Sequence, residues 1–196
     1  MARVSYHYHR VSAAMDFYHG AHEPLSPGER LTAHWDGWEH LDREIADAEE
    51  LLDRWRPADA IARDDCVFLS ASPEGTQAAG GGPAIHLVRP DGEPQASDMG
   101  WYGAFDHRLA EATDRVVDEG GEWDDVGGLL TLLSAGEKAE LRRLAVGYWS
   151  GRAYDGPGLM EYRAPAATVV SLVDEAGEGT LGAFPLGASP WGAHML

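Results

Sequence analysis

Residues 16–31 read Asp16-Phe17-Tyr18-His19-Gly20-Ala21-His22-Glu23-Pro24-Leu25-Ser26-Pro27-Gly28-Glu29-Arg30-Leu31, and the rest of the chain is best read outward from them. The apolar run over 15–18 predicts a short strand that delivers His19 onto Gly20. Pro24 to Gly28 follows as a turn-rich segment. A ring nitrogen held at a strand end beside bare glycine backbone suits recognition of a ribose or a phosphate. No other motif of comparable specificity is repeated along the chain.

Downstream, Trp38, Leu41, Ile45, Ala48, Leu52 and Trp55 recur at spacings of 3, 4, 3, 4 and 3, which predicts an amphipathic helix ended by Pro57. Its other face carries Glu39, Asp42, Arg43, Glu49, Glu50 and Asp53 and is expected to meet water. Cys66 to Ser70 reads as a short buried strand. Ser72 and Pro73 then mark a helix start, as N-cap and first helical residue. Gly80 to Gly82 ends that element and reads as a flexible loop. Ala84 to Val88 reads as a strand closed by the turn Pro90-Asp91-Gly92. Tyr102, Phe105, Leu109, Ala112 and Val116 line a second amphipathic helix, and 121–133 reads as an irregular connection. Ser134 and Glu137 form a capping box for a third helix, with Leu141, Leu144, Ala145 and Tyr148 on its inner face. Two strands, 159–162 and 167–173, are joined through Pro165. The order of elements, with its two adjoining last strands, excludes a doubly wound parallel sheet and predicts an α+β domain over 1–175. A Gly/Pro-rich tail over 176–196 is expected to drape on it.

The chain of 196 residues is long enough to bury a core, and 44% hydrophobic against 24% charged residues is ordinary for a globular protein. Its net charge of −18 argues against nucleic acid or an anionic membrane as a surface-bound partner. It leaves room for an anionic small molecule, which needs only a local positive potential. The single cysteine, Cys66, lies in an apolar run and reads as a buried structural thiol. No apolar run approaches a membrane span or a signal-peptide core, so the expectation is a cytoplasmic protein. His7 and His9 would share a face on a strand, yet no cysteine or acidic partner stands at ligand spacing, so no metal is expected. Dinucleotide and phosphate-loop glycine patterns and a serine-hydrolase elbow are all missing from the sequence.

Three separated elements are candidates to converge: His19, the strand end Phe68-Leu69-Ser70, and Glu161. Taken singly, each has a plain structural reading. His19 would be a satisfied core histidine, Tyr18 and Phe68 packed aromatics, and Glu161 a residue that shares a strand face with Arg163 or meets water. Asp98, just before Trp101 and Tyr102, reads as a helix cap.

The order of four pieces adds to this. Phe17-Tyr18-His19-Gly20 followed by Leu25-Ser26-Pro27-Gly28-Glu29-Arg30-Leu31 resembles the opening of the rifamycin ADP-ribosyltransferases. Val67-Phe68-Leu69-Ser70-Ala71-Ser72 is similar to that family's second strand. Ile85-His86-Leu87-Val88-Arg89-Pro90-Asp91-Gly92 is similar to its next strand and turn. The likeness covers roughly 16–98. Beyond it, Tyr148-Trp149-Ser150-Gly151 before Met160-Glu161-Tyr162 resembles a broader set of bacterial ADP-ribosyltransferase-like proteins.

The resemblance implies a split mixed sheet with flanking helices that grips NAD, as co-substrate, in a cleft. It implies that His19 binds the adenosine ribose, with Tyr18 and Gly20 beside it. It further implies that Phe68 stacks on nicotinamide, and that Ser70 bonds the nicotinamide amide or a ribose hydroxyl. The acid that supports positive charge on the ribose is Glu161, with Asp98 as second choice, since the rifamycin enzymes carry theirs soon after the third strand. Their second-strand tyrosine is Phe68 here, which keeps stacking and loses a hydroxyl. The acceptor of ADP-ribose, whether small molecule, macromolecule or water, is not identified by the sequence. The acidic surface makes nucleic acid less attractive as an acceptor of ADP-ribose without excluding it, since a local basic patch near Arg54, Arg56 and Arg63 would give it a foothold. An inactive nucleotide- or protein-binding relative and an acidic interaction protein are the competing expectations.

Overall fold

The computed structural model describes residues 15–33 and 42–175. The expected tail over 176–196, His7, His9, Trp38 and Leu41 lie outside the described residues. The elements are β1 (Phe17–Ala21), β2 (Arg30–Thr32), α1 (Arg43–Arg54), β3 (Val67–Leu69), α2 (Pro73–Ala78) and β4 (Ala84–Pro90). They continue with β5 (Gln95–Asp98), α3 (Met99–Asp118), α4 (Val126–Leu132), α5 (Ala135–Trp149), β6 (Met160–Ala164) and β7 (Ala166–Glu175).

The architecture is α+β, with two sheets. One has strand order β1-β4-β7-β2 and the other β3-β6-β5. Every ladder among the described residues is antiparallel, which corrects the expectation of a mixed sheet. The adjoining strands β6 and β7 are separated by Pro165 alone and enter different sheets. β5 and β6 are joined through α3, α4 and α5, yet they too pair antiparallel.

Among the described residues one isolated backbone bridge joins the two sheets, where the Tyr18 N–H donates to the Ser70 carbonyl and the Ser70 N–H to the Tyr18 carbonyl, both at 2.9 Å. Between the sheets Phe17, Val67, Leu69, Val88, Ala96, Tyr162, Ala164, Ala167 and Val169 form one core, in which the Phe17 ring meets Tyr162 edge-on. The opposite face of the three-stranded sheet is covered by the helices, whose own core is larger. Leu51, Leu52, Phe105, Leu129, Leu141, Tyr148 and Trp149 are all fully buried there. Side chains of this size contribute about 1.5–3 kcal/mol each.

The helices form for the reasons the sequence offers. The α3 residues Trp101, Tyr102, Phe105, Leu109, Ala112 and Val116 are its buried stripe. The capping box at α5 is complete, with Ser134 Oγ accepting from the Glu137 N–H and the Glu137 carboxylate from the Ser134 N–H. α3 and α5 approach closely because Gly147 has no Cβ where the Trp101 ring lies.

Three short elements were not foreseen. β2 is only three residues long. α4 carries Gly127 and Gly128, which read as breakers, yet Asp125 caps it. β5 has a polar sequence, Gln-Ala-Ser-Asp, that carries no strand signal. Glu49, placed by sequence on the solvent face of α1, is buried. Gly80 to Gly82, read as a flexible loop, packs on β1: a Cβ on Gly20 would stand 2.9 Å from Gly81 and Gly82 backbone.

Candidate functional site

The site begins at the bridge between the sheets. In an antiparallel strand successive residues direct their N–H and C=O groups to opposite sides. Tyr18 spends both on Ser70, so Gly20, two residues on, directs its own pair to the same side, away from β4. Past the bridge β1 and β3 make no further backbone pair, and the Gly20 N–H and C=O take no hydrogen bond among the described residues. Gly20 is partly exposed. One free donor and one free acceptor therefore stand side by side at the mouth of the split.

His19 stands next to them. Its Nδ1–H donates to the Phe68 carbonyl at 3.0 Å, since a carbonyl only accepts. That bond fixes the tautomer and leaves Nε2 with its lone pair. Burial pulls the imidazole below the ordinary histidine range. The Phe68 bond opposes this, and the neighbouring His86 adds to it. His86 is the cross-strand partner of His19 and is fully buried. Its Nε2 accepts the Leu25 N–H at 2.9 Å, which ties the turn Pro24–Gly28 to β4.

Phe68 and Glu161 lie on the face of the three-stranded sheet that meets the helices. Phe68 is the cross-strand neighbour of Arg163, and Glu161 stands two residues before it, so all three share that face. Arg63, on the connection from α1 to β3, joins the candidates. Its guanidinium lies 4.7 Å from the Phe68 ring centroid, and its Nη1 donates to Glu161 Oε1 at 2.8 Å. Its Nε donates to Glu49 Oε2 at 2.7 Å. The rings of Tyr102 and Tyr148 also lie close to it, at 5.1 and 5.4 Å. The Tyr148 hydroxyl accepts from Arg63 and donates to Glu161 Oε1, the latter at 2.7 Å. The side chains of Arg63 and Glu161 are each 11% exposed. Glu161 Oε2 takes no hydrogen bond among the described residues.

Burial works against the charge of Arg63, but Glu161 and then Glu49 outweigh it and hold that charge firmly in place. Burial likewise pushes the Tyr148 and Tyr102 hydroxyls up, so both remain protonated donors. Cys66 is buried, its Sγ–H donating to the Arg63 carbonyl at 3.3 Å. Burial, with help from Glu161, pushes its thiol up to about 12, in keeping with an inert structural role.

The remaining sequence candidates fall as follows. Ser70 is buried; its backbone makes the bridge and its Oγ accepts the Ser72 N–H at 3.3 Å. Tyr18 is half-buried on the face of β1 opposite Phe17 and His19. Asp98 pairs across the ladder with Met160, next to Glu161, and is the N-cap of α3, with Oδ1 accepting from the Gly100 N–H and Oδ2 from the Tyr154 N–H, both at 2.8 Å. Both its oxygens are committed to backbone, as the cap reading expects. The suggested basic patch does not form: Arg63 is buried, and Arg56 pairs with Asp53 at 2.7 Å. Sequence reasoning missed Glu49, Arg63 and Tyr148 as site neighbours. The available signal was the place of Glu49 between Ile45 and Leu52 at helical spacing, on the edge of the apolar stripe.

Among the described residues no group of three or more His, Cys, Asp or Glu side chains is placed to hold a metal ion, and no helix is long and apolar enough to cross a membrane. Compared with protein-family models, curated proteins and solved structures, the chain matches none.

Proposed function

We propose that the chain cleaves the bond between nicotinamide and ribose in NAD and passes ADP-ribose to an acceptor or to water. The observation that carries this reading is the unpaired N–H and C=O of Gly20 at the split of the sheets, beside His19 and one contact from Phe68. A primary carboxamide offers one acceptor and one donor in the complementary order, so nicotinamide fits that backbone pair. His19 Nε2 is free to accept from a ribose hydroxyl. Phe68, half-buried beneath Arg63, supplies an aromatic ring for stacking.

In the reaction the glycosidic C–N bond breaks and its electron pair leaves with nicotinamide. Positive charge develops on the ribose, and the fixed carboxylate of Glu161 offers Oε2 toward it. A preorganised charge in a water-poor site stabilises such a state far better than solvent does. The acceptor then attacks the anomeric carbon, and its proton passes to solvent as the new bond forms. Ser70 keeps its hydroxyl proton available, because its Oγ acts as acceptor toward Ser72.

A second reading is favoured by one specific observation. Glu161 Oε1 is already shared by Arg63 and Tyr148, as expected of a carboxylate with a structural task. On that reading the chain binds a nucleotide or a protein partner through this site or its acidic surface and performs no chemistry. Calorimetric titration with NAD, with nicotinamide followed by chromatography, separates the two. The catalytic reading predicts binding and release together, and a roughly tenfold weaker NAD affinity for His19→Ala, the scale of one hydrogen bond to a charged or well-placed group. Unchanged affinity in that variant removes His19 from the site. Binding without release selects the inactive module.

A further inference from the structure

We propose that Glu49 on α1 is a positioning residue for this site, acting through Arg63; the inference rests on the catalytic reading of Glu161. The geometry is a relay. Glu49 Oε2 takes the Nε–H of Arg63, and the other end of the same guanidinium holds Glu161 and lies over Phe68. A planar guanidinium bonded at Nε and Nη1 has little rotational freedom. Glu49 therefore fixes where Arg63 stands, and Arg63 fixes both the carboxylate and the stacking ring.

Charge makes the same point. The groups that face Glu161 are Arg63 from the connection before β3, Tyr148 from α5 and Arg163 from its own strand face. Tyr102 from α3 and Glu49 from α1 complete the shell around Arg63. Arg163 is fully buried and pairs with no carboxylate among the described residues; its partners are the Ile61 carbonyl and Ser97 Oγ. Two guanidiniums and two carboxylates balance. Without Glu49 the set carries a net positive charge, which opposes a cationic nicotinamide ring and a positive ribose alike.

The test uses the full chain and two readouts. The first is nicotinamide release from NAD. Glu49→Gln keeps the shape and removes the charge; it is expected to lower kcat roughly tenfold with KM for NAD within about twofold. Glu49→Asp, which restores the charge, is expected to recover most of the loss. Wild-type kcat in Glu49→Gln overturns the proposal, as does a fall that Glu49→Asp does not relieve.

The second readout needs no turnover. In a spectrum of 15N-arginine-labelled protein, the Arg63 Nε–H, assigned through Arg63→Lys, is expected to be protected from hydrogen exchange. That protection is expected to vanish in Glu49→Ala. An Arg63 signal equally protected without Glu49 overturns the relay. Should the wild-type chain release no nicotinamide, the catalytic reading fails, and the exchange measurement decides the relay by itself.

Discussion

Arg63 and Arg163 are two buried guanidiniums that lie against the same tyrosine, 5.4 and 5.3 Å from the ring centroid of Tyr148, and the fold satisfies them by opposite means. Arg63 carries two carboxylates, Glu49 and Glu161. Arg163 carries none: it donates to the Ile61 carbonyl at 2.7 Å and to Ser97 Oγ at 2.8 Å, lies 4.4 Å from the Trp149 ring, and leaves Nε without a partner among the described residues. One arginine is held by charge and the other by dipoles and π faces. Removing the first bares two buried anions. Removing the second takes out a cation that no carboxylate pairs directly among the described residues and strands two neutral groups. The difference separates a charge-setting residue at the site from a structural pin behind it.

Substitution by methionine sets the two against each other. Arg63→Met is expected to cost about 3–5 kcal/mol at neutral pH, the penalty of leaving buried charge unpaired. Arg163→Met is expected to cost only about 1–3 kcal/mol, from the stranded carbonyl and hydroxyl. Urea unfolding at neutral pH checks both, and a larger loss for Arg163→Met would break the comparison.

Tyr148→Phe sharpens it further. The ring stays for both arginines, and the hydroxyl goes with its bond to Glu161 and the one it accepts from Arg63. A loss of about 1 kcal/mol is expected, and a double-mutant cycle should couple it to Glu161 and leave it independent of Arg163.

The smallest effect belongs to a third guanidinium, Arg115, which pairs with the capping-box residue Glu137 at 2.8 Å near the surface. The Arg115 bond, with the Ser134 N–H, lowers the Glu137 carboxyl from 4.5 to about 2. A depressed carboxyl stabilises the fold above its ordinary value and loses that contribution as the pH falls through the folded one. The Glu137 contribution should therefore be complete above about 4.5 and fade toward about 2. Glu137→Gln should flatten that limb of the pH–stability curve while changing neutral stability least of the four variants.

The same contrast explains what could be read from the chain. The periodic stripes of α3 and α5 and the Ser72 and Ser134 caps depend on local spacing, and each appears where the sequence predicts it; the strand expected over 15–18 runs over 17–21 instead, with His19 in its middle and not at its end. β5 was illegible because its residues are recruited by long-range partners: Ser97 is fully buried to serve Arg163, and Gln95 to bond Ile61 and Asp59 backbone. Glu161 was legible as an odd polar residue in an apolar strand. Its partner was not, since Arg63 lies 98 positions away and reads locally as one more loop cation. The unpaired backbone of Gly20 follows from strand register, which a sequence without its pairing partners does not display.

The most direct test of the account is nicotinamide release from NAD by the wild-type chain beside Glu161→Gln, with NAD affinity measured on both by calorimetry. The account predicts release by the wild type. In the variant it predicts a fall of about a hundredfold or more, with affinity kept within a few-fold, as for loss of one preorganised charge-stabilising group. A chain that neither binds NAD nor releases nicotinamide, or a variant that turns over at the wild-type rate, would contradict it.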